Sequence, residues 1–237
     1  GVTQQDDFVF TFQELEEARK REYAHREGYG LKLVGYDIAR YGNDKCAAVC
    51  IQQMGALIWK IRFVDEWEKK DLSYTTGRIL STTSELKADG NIIDEDGIGG
   101  GPLDVINANI KDPDDQYKGF RNPNYSYQDN KFYGNPRTKN AFALKDLILK
   151  GHISLVDEGL CQELLTLRYT FMTDGRRILI SKEKLRKEGI KSPNKADALI
   201  MAISLIGEVK QRQESQYEPN IQQYSKDESL FKLAGVR

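Results

Sequence analysis

The sequence predicts an α/β fold: a mixed sheet, with a three-stranded antiparallel meander joined by parallel strands, flanked by helices and carrying an added β-hairpin. Three observations carry this expectation. The runs LKLVGYDIA at 31–39, KCAAVCIQQ at 45–53 and ALIWKIRFVDE at 56–66 are strand-like, and only a short turn at Met54 and Gly55 separates the last two. Strands joined this tightly pair antiparallel. Residues 71–88 have helical spacing and lead into NIID at 91–94, a short buried strand; a strand reached through a helix joins its sheet in parallel. Finally, LRYTFMTDGRRILI at 167–180 places apolar runs on either side of Asp174-Gly175, a strong hairpin signal.

The remaining elements follow in order. Residues 11–28 combine helix formers with interleaved acids and bases and end at Gly28, which predicts a solvated linker helix. A helix is expected over about 102–110. The stretch 112–136, rich in Asn, Pro, Tyr and Asp, predicts a long loop with one short strand near Tyr117–Arg121. A helix at 138–149 stops at Gly151, HISLV reads as a strand, and 157–168 as a further helix. SPNKADALIMAISLIGEV, with Ser192 as N-cap and Pro193 at the first helical position, predicts a buried helix. The polar, Gln-rich tail after Lys210 suits a disordered or partner-binding extension. The expected organisation is therefore a linker helix (1–30), one α/β domain (31–207) and a polar tail (208–237).

Bulk composition narrows the function. At 237 residues and 39% hydrophobic content the chain can bury one good-sized core. A net charge of −1 gives no general attraction to nucleic acid, so such contact must come from local patches or a metal site. Cys46, Cys50 and Cys161 are too few and too scattered for a disulfide framework or a zinc site. There is no apolar run of membrane-spanning length and no signal-peptide layout, which points to a cytosolic chain. Gly1 in place of Met, before polar residues, points to an excised fragment or a tag remnant.

Acids interrupt apolar segments at three places. Asp37 ends the first strand, Asp94 closes NIID, and Asp197 faces Ile200 and Met201 on the last helix. An isolated ionised carboxylate in such surroundings costs several kcal/mol, of order 3 or more, unless it is compensated. Convergence of all three on divalent cations is the economical explanation, since hard oxygen ligands suit Mg2+. Each acid also has a plain structural reading. Asp37 suits the start of a turn with Arg40, Gly42 and Asn43; Asp94, with Glu95 and Asp96, suits a solvated strand end; Asp197 suits the first turns of a helix, where the dipole favours an acid. Asp96 and Asp44 are auxiliary ligand candidates.

These segments resemble the nuclease motifs of tailed-phage large terminase subunits: VGYDIARYGNDK at 34–45, NIIDEDGIGGGPLDVI at 91–106 and SPNKADALIMAISL at 192–205. The resemblance spans about residues 31–207. It implies an RNase H-like fold and a Mg2+- or Mn2+-dependent endonuclease with two metal ions. Asp37, Asp94 and Asp197 are then the catalytic metal ligands, with Asp96 as a further ligand. It also implies double-stranded viral DNA as substrate, the portal protein and small terminase subunit as partners, action in the host cytoplasm, and a separate N-terminal packaging ATPase. No G-x-x-x-x-G-K-[ST] occurs, so that ATPase is expected to be absent from this chain.

Lys195, Arg40, Arg137 and Lys139 are the leading candidates for DNA phosphate contacts, with Lys131, Arg176, Arg177, Lys182 and Lys191 behind them. GIGGGP lets the chain turn sharply after Asp94 and lets a DNA backbone approach. Other readings are a junction resolvase or transposase core, an actin-like ATPase and a non-catalytic docking module. Removing any of the three acids is expected to hold or raise stability, by relieving repulsion between like charges.

Overall fold

The computed structural model describes residues 7–21, 30–39, 45–55, 57–68, 70–95, 101–110 and 116–216. Arg40, Asp44, Asp96, residues 97–100 of the glycine-rich stretch and the tail beyond 216 lie outside the described residues. The strands are β1 (Asp7–Phe8), β2 (Lys32–Asp37), β3 (Lys45–Gln53), β4 (Trp59–Glu68), β5 (Gly90–Asp94), β6 (Tyr117–Phe120), β7 (Ile153–Ser154), β8 (Arg168–Phe171) and β9 (Arg177–Leu179). The helices are α1 (Phe12–Arg19), α2 (Leu72–Leu86), α3 (Pro102–Asn109), α4 (Pro136–Leu149), α5 (Glu158–Leu164), α6 (Lys182–Lys187) and α7 (Asn194–Gln216).

Six strands form one mixed sheet in the order β6-β5-β2-β3-β4-β7. The expected meander is present, with β2 antiparallel to β3 and β3 to β4. The strands β5, β6 and β7 each join in parallel, as their helical connections require. At the centre, β2 and β3 are buried on both faces: Val34, Tyr36 and every residue from Cys46 to Ile51 have no exposed surface. This is why their sequences read as continuous apolar runs rather than as an alternation.

Register sets up the chemistry. Tyr36 lies opposite Ile93 in the parallel β2/β5 pair, so Asp37 and Asp94 end neighbouring strands at the same edge. Helix α7 crosses β2 at backbone contact. A Cβ built on Gly35 would collide with the carbonyl oxygen of Ala198 and stand 2.8 Å from the Ala202 nitrogen. The fully buried Ala198 and Ala202 keep that side of the helix thin, so Asp197 is carried to the end of β2.

A second sheet, β1-β8-β9, is antiparallel throughout. Its turn at Asp174-Gly175 uses the positive φ of Gly175, 84°, as the sequence predicts. Arg176, 5% exposed, donates to Asp174 and to the carbonyls of Tyr125, Ser126 and Asn130, fastening the Asn-rich loop to the hairpin.

Several expectations change. Helix α1 is not a solvated linker: Leu15 and Ala18 are buried, Thr11 and Glu14 form a capping box, and Lys145 of α4 donates to the Val9 carbonyl. Its surface charges disguised a narrow apolar stripe. The HISLV strand contracts to the two residues of β7, and α5 ends at Leu164. Neither β1 nor α6 is foreseen by periodicity, being only two and six residues long.

Candidate active site

One cleft of about 470 Å³ is lined by all three predicted acids, Asp37, Asp94 and Asp197. Asp37 ends β2, Asp94 ends β5 and Asp197 lies in the first turns of α7. Asp37 and Asp197 are 3% and 4% exposed, while Asp94 is half-buried. Around them stand Asn122, Asn124 and Asn135 from the loop and Lys182, Glu183 and Arg186 from α6, with Arg137 at the start of α4.

The cleft is not the bare negative pocket that three buried acids suggest. The Lys182 ammonium donates to both oxygens of Asp37, at 3.1 and 3.0 Å, and lies 2.9 Å from Oδ2 of Asp197. From the other side Arg137 Nε donates to Asp197 Oδ1 at 2.7 Å, and its Nη1 to the Ile180 carbonyl at 3.4 Å. Four acids of the lining thus face three bases, Arg137, Lys182 and Arg186. A buried carboxylate pair with a cation at its centre is what a low-dielectric site needs in order to keep its charges.

Burial pushes the Asp37 carboxyl upward, the Lys182 charge pulls it back only in part, and Asp197 adds a further upward push. Burial also pushes Asp197 upward, but Arg137 and Lys182 together outweigh it and hold that carboxyl below its usual range. Lys182 shows the reverse balance: burial favours the neutral amine, and the two aspartates overcome it and raise its pKa. This geometry replaces the expectation that removing an acid relieves repulsion. Asp37 and Asp197 are both held by cations, and removing either takes a partner from a buried cation instead.

The donor set suits a hard divalent cation: carboxylate oxygens and side-chain amides line the cleft, with no His or Cys. Among the described residues, no group of three or more His, Cys, Asp or Glu side chains is close enough to hold a metal ion as arranged. Lys182 occupies the position between Asp37 and Asp197, and Asp96 lies outside the described residues.

The predicted DNA contacts divide. Arg137 lines the cleft, but its side chain is only 12% exposed and is committed to Asp197. Lys139 is exposed and does not line the cleft. Lys195 also lies outside the lining, with Nζ 3.7 Å from Oε1 of Glu163. Arg40 lies outside the described residues. The important basic residue is Lys182, which the sequence offered only as one of many surface cations; nothing in its KEKLRK surroundings separates it from its neighbours.

Glu163 is a largely buried acid that pattern reading passed over. Burial pushes its carboxyl up to about 7, against partial relief from the Ala196 N–H and from Lys195, with Glu66 adding a further push. In an unfolded chain a glutamate ionises near its ordinary value, so between that value and about 7 the unfolded state releases its proton first. Stability from this group is therefore full in acid and falls as pH rises through about 7. Glu163→Gln is expected to raise the melting temperature by a few degrees at pH 8 and to change it little at pH 4.5, as read by calorimetry at both pH values.

No family model matches the sequence, and no curated protein matches it. Solved structures do match the fold. The nuclease domain of the large terminase subunit of bacterial virus Sf6 is 21% identical, with a TM-score of 0.66, covering 83% of this chain and 98% of that one. The large terminase nuclease from thermophilic phage G20c is 16% identical, with a TM-score of 0.58, covering 84% and 98%. The Thermus phage P74-26 large terminase nuclease domain is 16% identical, with a TM-score of 0.53, covering 83% and 94%. The Sf6 domain is also matched as a lysine-to-alanine mutant with calcium or manganese, and the G20c domain with bound magnesium or cobalt. The order of strands, the helices on the sheet and these likenesses together give the chain the RNase H-like fold of large terminase nuclease domains.

Proposed function

We propose that this chain is a divalent-metal-dependent endonuclease that cuts double-stranded viral DNA, as the nuclease part of a large terminase. One observation carries the reading. Asp37 and Asp197, distant in sequence, are buried together around a single cationic group, in a cleft that Asp94 also lines. The fold likeness supports it, as do the metals named for the Sf6 and G20c domains.

Asp37, Asp94 and Asp197 would hold Mg2+ or Mn2+. Bound there, two such ions would supply the activation of a water and the stabilisation of the leaving 3′ oxygen of a phosphodiester. The chain's own residues do the rest. Arg137 fixes Asp197 through Oδ1 and leaves Oδ2 toward Lys182. Lys182 balances the two buried carboxylates, so that the pocket folds with its charges compensated. Asn122, Asn124 and Arg186 line the same cleft, and amide and guanidinium groups are of the kind that bind phosphate oxygens. As a terminase nuclease the chain would work in the host cytoplasm, with the portal protein, the small terminase subunit and a packaging ATPase.

Supercoiled plasmid is expected to be nicked or linearised in Mn2+ or Mg2+ with little sequence preference, and to stay intact in EDTA. Full cutting in EDTA would end this reading. A second measurement concerns Lys182. With alanine there, two buried carboxylates lose their shared cation, so the metal-free protein should lose about 3 kcal/mol of stability. Added Mn2+ should then raise the melting temperature of Lys182→Ala more than that of the unaltered chain, because the ion replaces what was removed. Equal shifts in the two proteins would show that the ion binds elsewhere.

A further inference from the structure

Five helices carry a side-chain cap from the residue just before them: Thr11, Asp71, Asn135, Asp157 and Ser181 accept from the first turns of α1, α2, α4, α5 and α6. Helix α7 is built otherwise. Its first intrahelical bond runs from the Asp197 N–H to the Pro193 carbonyl at 2.9 Å, which puts Pro193 rather than Ser192 at the N-cap position. Proline has no side-chain acceptor to offer there. The Ala196 N–H, one residue before Asp197, is instead accepted by Oε2 of Glu163 at 3.0 Å, from α5, 33 residues away in sequence.

This acceptor stands in a costly place. Burial works against its charge, its side chain is 19% exposed, and Lys195 stands 3.7 Å away. Glutamine there would accept the same N–H without a buried charge. A helix whose own N-cap cannot cap, closed by a carboxylate from another helix beside a site aspartate, has its first turn set by that second helix. Asp197 lies in that turn, and Arg137 and Lys182 both take their geometry from it.

We propose that Glu163 is a positioning residue for Asp197: by closing the first turn of α7 from α5, it holds the carboxylate at the place where it can share a cation with Asp37. This inference rests on the nuclease reading above. It requires the acceptor, not merely the bulk, of the Glu163 side chain.

The test compares Glu163→Leu, which fills the space without an acceptor, with Glu163→Gln, which keeps one. Mn2+ binding is followed by titration calorimetry and plasmid cutting over a range of Mn2+ concentrations. Glu163→Leu is expected to bind Mn2+ about tenfold more weakly and to shift half-saturation by the same factor, with the rate at saturating Mn2+ largely retained. Glu163→Gln should stay within about twofold of the unaltered chain. Amide exchange read by NMR in the unaltered chain should show Ala196 protected, a measurement that stands even where Glu163→Leu does not fold. A leucine variant that melts earlier but binds Mn2+ normally overturns the proposal, as does a glutamine variant as weak as leucine or an unprotected Ala196 amide. Failure of the unaltered chain to bind Mn2+ overturns the nuclease reading and this inference together, whereas equal binding by leucine and glutamate overturns the inference alone.

Discussion

Asp197→Ala is expected to abolish metal-dependent cutting and to destabilise the fold by about 3–5 kcal/mol, the range for breaking a buried ion pair from one side. The carboxylate holds Arg137 by Oδ1 and Lys182 by Oδ2, and both cations are largely enclosed. Truncation leaves Arg137, whose Nη2 lacks a hydrogen-bond partner among the described residues, without its Asp197 carboxylate. In a domain of this size, melting should fall by about 10 °C or more. Asp197→Asn keeps the volume and one acceptor, so it should lose cutting equally while giving back part of the stability. Differential scanning calorimetry in EDTA, paired with a plasmid assay in Mn2+, checks both. A fully stable, metal-free Asp197→Ala would mean that the two cations are held by something other than this carboxylate.

Gly35→Ala should be as damaging without touching an acid. The methyl group would enter the backbone of α7 at the Ala198 carbonyl and the Ala202 nitrogen, and neither can rotate aside as a side chain could. Either α7 lifts from β2 or β2 shifts in its ladders with β3 and β5. Overpacking of this kind costs about 1–3 kcal/mol and occasionally more, and backbone contact on both sides argues for the upper end. Lifting α7 also moves Asp197 away from Asp37. The expected result is a melting temperature about 10 °C lower and cutting reduced by a hundredfold or more, since a displacement of about 1 Å can have that effect. Melting and cutting that match the unaltered chain would show that the helix can retreat without consequence.

The sequence disclosed most of the central sheet because its strands are buried on both faces and announce themselves as apolar runs. It disclosed Asp37, Asp94 and Asp197 for the same reason: an acid at the end of LKLVGY or NII, or beside ALIM, is conspicuous. Lys182 and Glu163 were not legible. Lys182 lies in a short charged helix where solvated residues look the same, Glu163 in a helix of seven residues, and only the three-dimensional path of the chain brings one to Asp37 and the other to Ala196. Lys195, offered as a phosphate contact because it lies two residues from Asp197, is outside the cleft lining and stands beside Glu163. The N-cap of α7 shifted by one residue because Ser192-Pro193 fits a familiar start pattern, while the backbone opens its helix after the proline.

The outermost strand β7 has a bearing on how copies of this protein behave when concentrated. It contributes only Ile153 and Ser154, and just beyond it the Leu155 N–H turns to the Ala18 carbonyl while the Ser154 hydroxyl donates to Arg21. A rim this short and already engaged gives an incoming extended peptide almost no row of free amides and carbonyls along which to zip. Crowding many such domains together therefore carries little danger of sheet-to-sheet adhesion at this rim.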